Sequence, residues 1–308
     1  MIELDHIEES YPFQDLRWVD EGRIIETNKG KKVLKFWLDE HILQAHILWR
    51  EELTKQTGVL TDRMIQTSHG EKAIYTDAGW VTLHDVVEDP YPVWDHPNKI
   101  GAFLGRYITM PYGGGESGGS LSLSEENIYS DRERLVQSLP VRSVSHKLVD
   151  KLKDEALTRL EKVANVIEGN ELTDTHHRVV SIYTLAQAKL VHGQLFWENN
   201  EKKSTSPYKV LRHCLAEWEN RGGSLDLLLD GLNTTFPLNK DRGTLLLAHI
   251  MYPYEMLSFI SQLTQETTRT HSQQKVRFNE LVTEWDTNKR VCDTMVAWLQ
   301  DVREKVVQ

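Results

Sequence analysis

Lys35 stands alone among apolar neighbours in Val33-Leu34-Lys35-Phe36-Trp37, a segment with the composition of a strand, and two carboxylates, Glu51 and Glu52, follow in a helical stretch. An ammonium so placed is able to hold an anion, and a carboxylate is able to orient the ammonium. Farther on, His192-Gly193-Gln194 leads to Asn199. Histidine moves protons near neutral pH, but the carboxamide of Gln194 has no useful basicity: it can position a hydroxyl or a water and cannot take its proton. The glycine-rich run from Gly113 to Ser120 invites an anion-cradle reading, because successive backbone N–H groups can converge on one anion. It lacks the Lys of the GxxxxGK(S/T) pattern and any strand–loop–helix context, so it reads as a connecting loop. Cys214 and Cys292 form no CxxC or Cys/His spacing and read as small buried hydrophobes. His176 and His177 are adjacent, not four residues apart, so they cannot share one helix face as metal ligands.

These residues need elements to hold them. Arg17–Asp20, Arg23–Thr27 and Lys32–Trp37 are extended segments separated by the turn compositions Glu21-Gly22 and Asn28-Lys29-Gly30, which predicts a three-stranded antiparallel meander. Glu40–Thr57 carries Ile42, Leu43, Ile47, Leu48 and Leu53 near helical period and stops at Gly58. Met64–Thr67 and Ala73–Thr76 flank Ser68-His69-Gly70 as a hairpin. The expectation is a five-stranded antiparallel sheet with the Glu40–Thr57 helix against it. From Glu88 to Pro97 the composition turns to Pro, Asp and aromatic residues, a hinge, so the chain is divided into residues 1–92, β-rich, and 93–308, mainly helical. Helices are expected over Lys99–Met110, Val144–Ile167, Asp174–Lys189, Leu211–Asn220, Asp241–Gln265 and Ser272–Val306, with a long loop from Tyr112 to about Pro140.

The bulk numbers narrow the function. With 308 residues, 39% of them apolar, the chain can bury a large core. A net charge of −10 argues against nucleic acid or anionic lipid as partner, since phosphate contacts need clustered Lys and Arg. No apolar run is long enough for a membrane span, and the acidic start MIELDHIEES is unlike a signal peptide, which points to a protein made and folded in the cytoplasm.

The segment Leu190-Val191-His192-Gly193-Gln194-Leu195-Phe196-Trp197-Glu198-Asn199 resembles the HGDxHxxN catalytic loop of the aminoglycoside and choline phosphotransferase kinase-like families, with His192, Gly193 and Asn199 at matching positions. Leu215-Ala216-Glu217-Trp218 is similar to their DLAx(F/W) segment. Leu245-Leu246-Leu247-Ala248-His249-Ile250-Met251-Tyr252-Pro253 resembles a helix of the bacillar endospore-coat kinase-like proteins of the YutH/CotS type. The resemblance implies an α+β, protein-kinase-like two-lobed fold: a small antiparallel sheet lobe with one helix, and a larger mainly helical lobe. It further implies that Lys35 meets nucleotide phosphates, that Glu51 or Glu52 orients it, and that Asn199 is a Mg²⁺ ligand.

The departures from that pattern fall on the chemistry. Gln194 stands where the families place the Asp that handles the substrate hydroxyl proton, and Phe196 replaces the second His. Between Asn200 and Ala216 there is no Asp, and Glu201 is the one carboxylate, so hard anionic ligands for Mg²⁺ are lacking. Glu21-Gly22 is too tight a turn for a phosphate-covering flap. The resulting expectation is a catalytically degenerate kinase-like protein, with no intact catalytic set, no metal site and vestigial nucleotide-binding positions Lys35, Glu51 and Glu52. Its expected role, by resemblance, is structural or assembly work in the endospore coat, made in the mother-cell cytoplasm, with other coat proteins as partners and no cofactor. The competing expectations are an active small-molecule kinase using ATP and Mg²⁺ through displaced carboxylates such as Glu198 or Glu201, and a non-catalytic metabolite binder lined by His192, Gln194 and Trp218. His192 is expected to be a brace, bonded through its side chain to backbone at the start of a loop.

Overall fold

A computed structural model describes residues 2–114, 123–137, 146–168, 177–265 and 271–307. Most of the Gly113–Ser120 run, His176 and the first part of the helix expected at Asp174–Lys189 lie outside the described residues. The fold is α+β and kinase-like. The residues group into two compact units: unit 1 is Met1–His96, Thr109–Ser117 and Arg178–Thr205, and unit 2 is Pro97–Ile108, Gly118–His177 and Ser206–Gln308. Where the sequence suggests one division after residue 92, the chain first leaves unit 1 at His96 and returns to it twice.

In unit 1, a short helix α1 (Leu4–Ser10) precedes the strands β1 (Arg17–Asp20), β2 (Ile24–Thr27) and β3 (Gly30–Trp37). Helix α2 (Glu40–Thr57) opens on Asp39, whose carboxylate accepts from the His41 and Ile42 N–H groups, and closes on Gly58 in the left-handed conformation. Two further strands, β5 (Ile74–Thr76) and β6 (Gly79–Asp85), complete a five-stranded sheet ordered β1-β2-β3-β6-β5, antiparallel at every pairing. The expected hairpin partner Met64–Thr67 is not a strand. Thr67 Oγ1 instead accepts from the backbone N–H groups of His69 and Glu71 and curls the chain into a loop, and β5 turns through Asp77-Ala78 into β6. One sheet face and α1 bury Ile7, Tyr11, Phe13, Ile25, Leu34, Val81 and Leu83.

A second, three-stranded sheet sets the short strand β4 (Leu60–Thr61) parallel to β9 (Gln194–Trp197), which pairs antiparallel with β8 (Ala188–Val191). A two-stranded pair joins β7 (Val179–Val180) to β10 (Ser204–Thr205). These strands overturn the helix expected over the described part of Asp174–Lys189: Val179, Val180 and Ile182 are β-branched and buried, as short buried strands require.

Unit 2 is helical. Its helices are α3 (Pro97–Ile108), α4 (Glu125–Gln137), α5 (His146–Glu168), α6 (Pro207–Asn220), α7 (Leu225–Thr235), α8 (Lys240–Met251), α9 (Tyr254–Gln265) and α10 (His271–Val307). Helix α4 falls inside the stretch expected to be a loop. The continuous helix expected over Asp241–Gln265 breaks at Tyr252-Pro253, where proline removes a backbone donor. Helices α3 and α7 touch backbone to backbone: a Cβ added at Gly101 would lie 2.1 Å from the Leu228 carbonyl oxygen. A core of Leu135, Leu160, Val163, Met256, Phe259 and Trp285 joins α4, α5, α9 and α10.

Candidate functional site

Strand β3 alternates, so Leu34 goes to the core while Lys35 projects to the other face of the sheet. Its side chain is 12% exposed, and its ammonium donates to Asp62 Oδ2 at 2.6 Å and to the Asn199 carbonyl at 2.9 Å. Asp62, directly after β4, is 2% exposed. It also receives Arg50 of α2: Nε lies 3.1 Å from Oδ1 and 3.2 Å from the Asp62 carbonyl, and Nη2 lies 3.4 Å from Oδ2. Arg50 Nη2 reaches the same Asn199 carbonyl at 3.1 Å. One carboxylate and one carbonyl therefore hold two cations.

Two neutral histidines wall this cluster. Arg50 Nη1 donates to His46 Nδ1 at 3.1 Å, one helical turn away, and a guanidinium can only donate, so Nδ1 must be the bare nitrogen. His84 Nδ1 lies 2.9 Å from the Asp62 carbonyl, an acceptor only, so Nδ1 carries the proton. His84 Nε2 then accepts from Thr82 Oγ1 at 2.8 Å, and Thr82 in turn accepts from Trp37 Nε1 at 2.9 Å. Burial, reinforced by Arg50 beside His46 and by Lys35 beside His84, lowers both imidazoles to about 3. Burial alone would push the Asp62 carboxyl up, but Arg50 and Lys35 outweigh it and hold the group down at about 2. Burial lowers the Lys35 ammonium from its ordinary value; Asp62 opposes that and Arg50 adds to it. The cluster is a locked ion pair at neutral pH.

Asp62 takes the place expected for Glu51 or Glu52. Those two lie on the exposed side of α2, Glu51 at 4.0 Å from Lys72 and Glu52 at 3.8 Å from Lys55. Asn199 enters the cluster through its backbone. Its side-chain Oδ1 accepts from Glu201 N–H at 3.0 Å, and its Nδ2 is buried without a hydrogen-bond partner among the described residues.

His192 and Gly193 are the two-residue turn of the β8–β9 hairpin, with Val191 paired to Gln194. Their φ values of 49° and 75° are those of a turn matched to the strand twist. His192, Gly193 and Gln194 are all exposed. The expected buried brace is thus corrected: strand pairing absorbs the segment, and the imidazole faces solvent. Sequence reasoning missed Asp62, Arg50, His46 and His84. The signal for two of them was present, because Leu43, His46, Arg50 and Leu53 recur at three- and four-residue steps on the buried face of α2.

The resemblance read from the sequence implies ATP and Mg²⁺, and the donor set among the described residues does not fit the metal. Asp62 is engaged by two cations and Asn199 Oδ1 by a backbone N–H; among the described residues no three His, Cys, Asp or Glu side chains converge. Glu198 adds negative charge near Lys35 as a single half-buried carboxylate.

No protein-family model matches the sequence, and no curated protein sequence does. Solved structures do match it in fold. The chain is similar to an aminoglycoside phosphotransferase from Alicyclobacillus acidocaldarius, with a TM-score of 0.72 at 11% identity over 99% of this chain and 97% of that one. A microcompartment-associated aminopropanol kinase matches with a TM-score of 0.59 at 13% identity over 94% and 97%. A spectinomycin phosphotransferase solved with ADP and spectinomycin matches with a TM-score of 0.57 at 9% identity over 92% and 96%.

Proposed function

We propose that this chain is a catalytically degenerate kinase-like protein that works as a structural or assembly component of the bacterial endospore coat. The observation that carries the first half is the donor set: Gln194, a carboxamide, stands at the proton-accepting position of the resemblance, and Asn199 Oδ1 accepts from the Glu201 N–H, with no three His, Cys, Asp or Glu side chains converging among the described residues. The likeness of Leu245–Pro253 to the coat proteins supports the second half.

Calorimetric titration of ATP with Mg²⁺ into the full chain tests degeneracy: the expected result is no saturable heat at millimolar nucleotide. A fluorescent fusion in an endospore-forming host tests the coat role; a ring on the forespore surface is expected, and diffuse signal in both compartments would contradict it.

A second reading, a small-molecule phosphotransferase with ATP and Mg²⁺, draws on the full-length fold likeness to phosphotransferases and on Glu198 beside Lys35. It predicts saturable, Mg²⁺-dependent ATP binding that Lys35→Ala and Glu198→Gln each weaken.

A further inference from the structure

Between α2 and the chain following β4, unit 1 encloses a cavity of about 320 Å³ lined by Ile47, Arg50, Glu51, Thr54, Lys55, Thr61, Arg63, Met64 and Lys72. We propose that this cavity is a binding site for a small organic phosphate monoester, held by Arg63, Lys72 and Lys55 with its body against Ile47 and Met64.

Charge carries the argument. The protein bears a net charge of −10, yet the cavity lining holds four cations and one carboxylate, Glu51. The Arg50 fork is committed to Asp62 on the far side, which leaves Lys55, Arg63 and Lys72 against Glu51 in the lining and Glu52 beside it. Their existing partners are weak. Lys72 meets Glu51 at 4.0 Å and Lys55 meets Glu52 at 3.8 Å, both pairs largely solvent-exposed. Arg63 is exposed and has no ion-pair partner among the described residues. A phosphate monoester brings about 1.5 to 2 negative charges and three strong acceptors, one for each of the three cations, where a carboxylate brings two acceptors. The guanidinium of Arg63 supplies the forked geometry that phosphate oxygens accept.

Size and wall chemistry settle the rest. The cavity is at the lower bound of small-molecule sites, about 300 Å³, and holds more than an inorganic phosphate. Ile47 and the buried Met64 give the remainder an apolar wall, and Thr54 and Thr61 in the same lining bond to each other at 3.0 Å. The site shares Arg50 with the Lys35 cluster, but Arg63, Lys72 and Lys55 lie outside that cluster, so the proposal stands whether or not the degenerate reading does.

The experiment titrates the full chain with phenyl phosphate, inorganic phosphate, benzoate and phenol, followed by amide chemical shifts. Saturable shifts at residues 47–72 are expected with phenyl phosphate, at least about tenfold weaker binding with phosphate or benzoate, and none with phenol. Arg63→Ala should weaken phenyl phosphate about tenfold, and the double variant Arg63→Glu with Lys72→Glu should abolish it, with melting temperatures unchanged because these side chains are not buried. Saturable binding that survives the double variant, equal affinity for phenol, or no saturation at about 10 mM phenyl phosphate would each overturn the proposal.

Discussion

Two buried carboxylates in this molecule each hold two cations, one in each unit. In unit 2, Glu255 is fully buried and pairs with Arg159 at 3.2 Å and Arg212 at 2.7 Å. Its cations lie on rings, Arg159 at 3.8 Å from the centre of Trp285 and Arg212 at 4.9 Å from that of Tyr254. Every member comes from a helix, and both cations are arginines, which cannot give up a proton. In unit 1, Asp62 holds one arginine and one lysine, with neutral histidines at its edge and a backbone carbonyl shared between the cations. The Glu255 triad ties helices together; the Asp62 cluster ties β3, α2 and the chain after β4 together with residue types that elsewhere do chemistry. Burial and pairing do not by themselves distinguish a scaffold from a site. The identity of the cation and its access to a ligand do.

The largest effect expected from this comparison is on Asp62→Asn, which leaves Lys35 and Arg50 facing each other and should cost about 3 to 5 kcal/mol in chemical denaturation. Glu255→Gln should cost less, about 2 kcal/mol, because its arginines keep their close ring contacts with Trp285 and Tyr254. Alkaline pH separates the two. In Asp62→Asn the lysine can lose its proton while the unfolded chain still binds it, so stability recovers as pH rises toward 10. Glu255→Gln has no such route and should show no recovery. Equal pH responses would erase the distinction drawn between the clusters.

A graded effect, small near neutral pH and growing with each unit of acid, comes from the buried histidines. His46 and His84 in unit 1, and His249 in unit 2, are held near 3 by burial and neighbouring cations. An unfolded histidine binds its proton near 6.5, so between about pH 6.5 and 3 the unfolded state carries more protons and stability falls as pH falls. Each group contributes at most about 1.4 kcal/mol per pH unit. Unit 1 holds two of the three, so its amide protection should decline ahead of that of unit 2 on acidification. Uniform loss across both units would contradict this. Smallest of all is His192→Ala, expected within about 0.5 kcal/mol of the parent, since the imidazole is exposed in a hairpin turn.

The sequence made the meander and α2 legible, because turn dipeptides and helical spacing are local signals. Strand β6 was not. Its residues Val81, Thr82, Leu83 and His84 are buried in succession, so the alternation that marks a half-exposed strand is missing. The His192-Gly193 pair misled for a related reason: the same dipeptide serves a catalytic loop or a tight turn, and only the pairing of Val191 with Gln194 decides which. Asp62 was illegible because a charge between Thr61 and Arg63 looks like surface; its burial follows from β4 pairing with a strand more than 130 residues away. Lys35 was found from its strand, and its partner was not.

The account turns on whether the chain holds a metal-bound nucleotide, and the melting temperature of the full chain in ATP with Mg²⁺ against ATP with chelator tests that directly. Binding at about 100 times the dissociation constant would add roughly 2.7 kcal/mol, which for a chain of this size raises Tm by about 2–4 °C per kcal/mol. The lack of free metal donors among the described residues predicts identical melting in both conditions. A rise of several degrees that appears only with Mg²⁺, and is lost in Lys35→Ala, would contradict it.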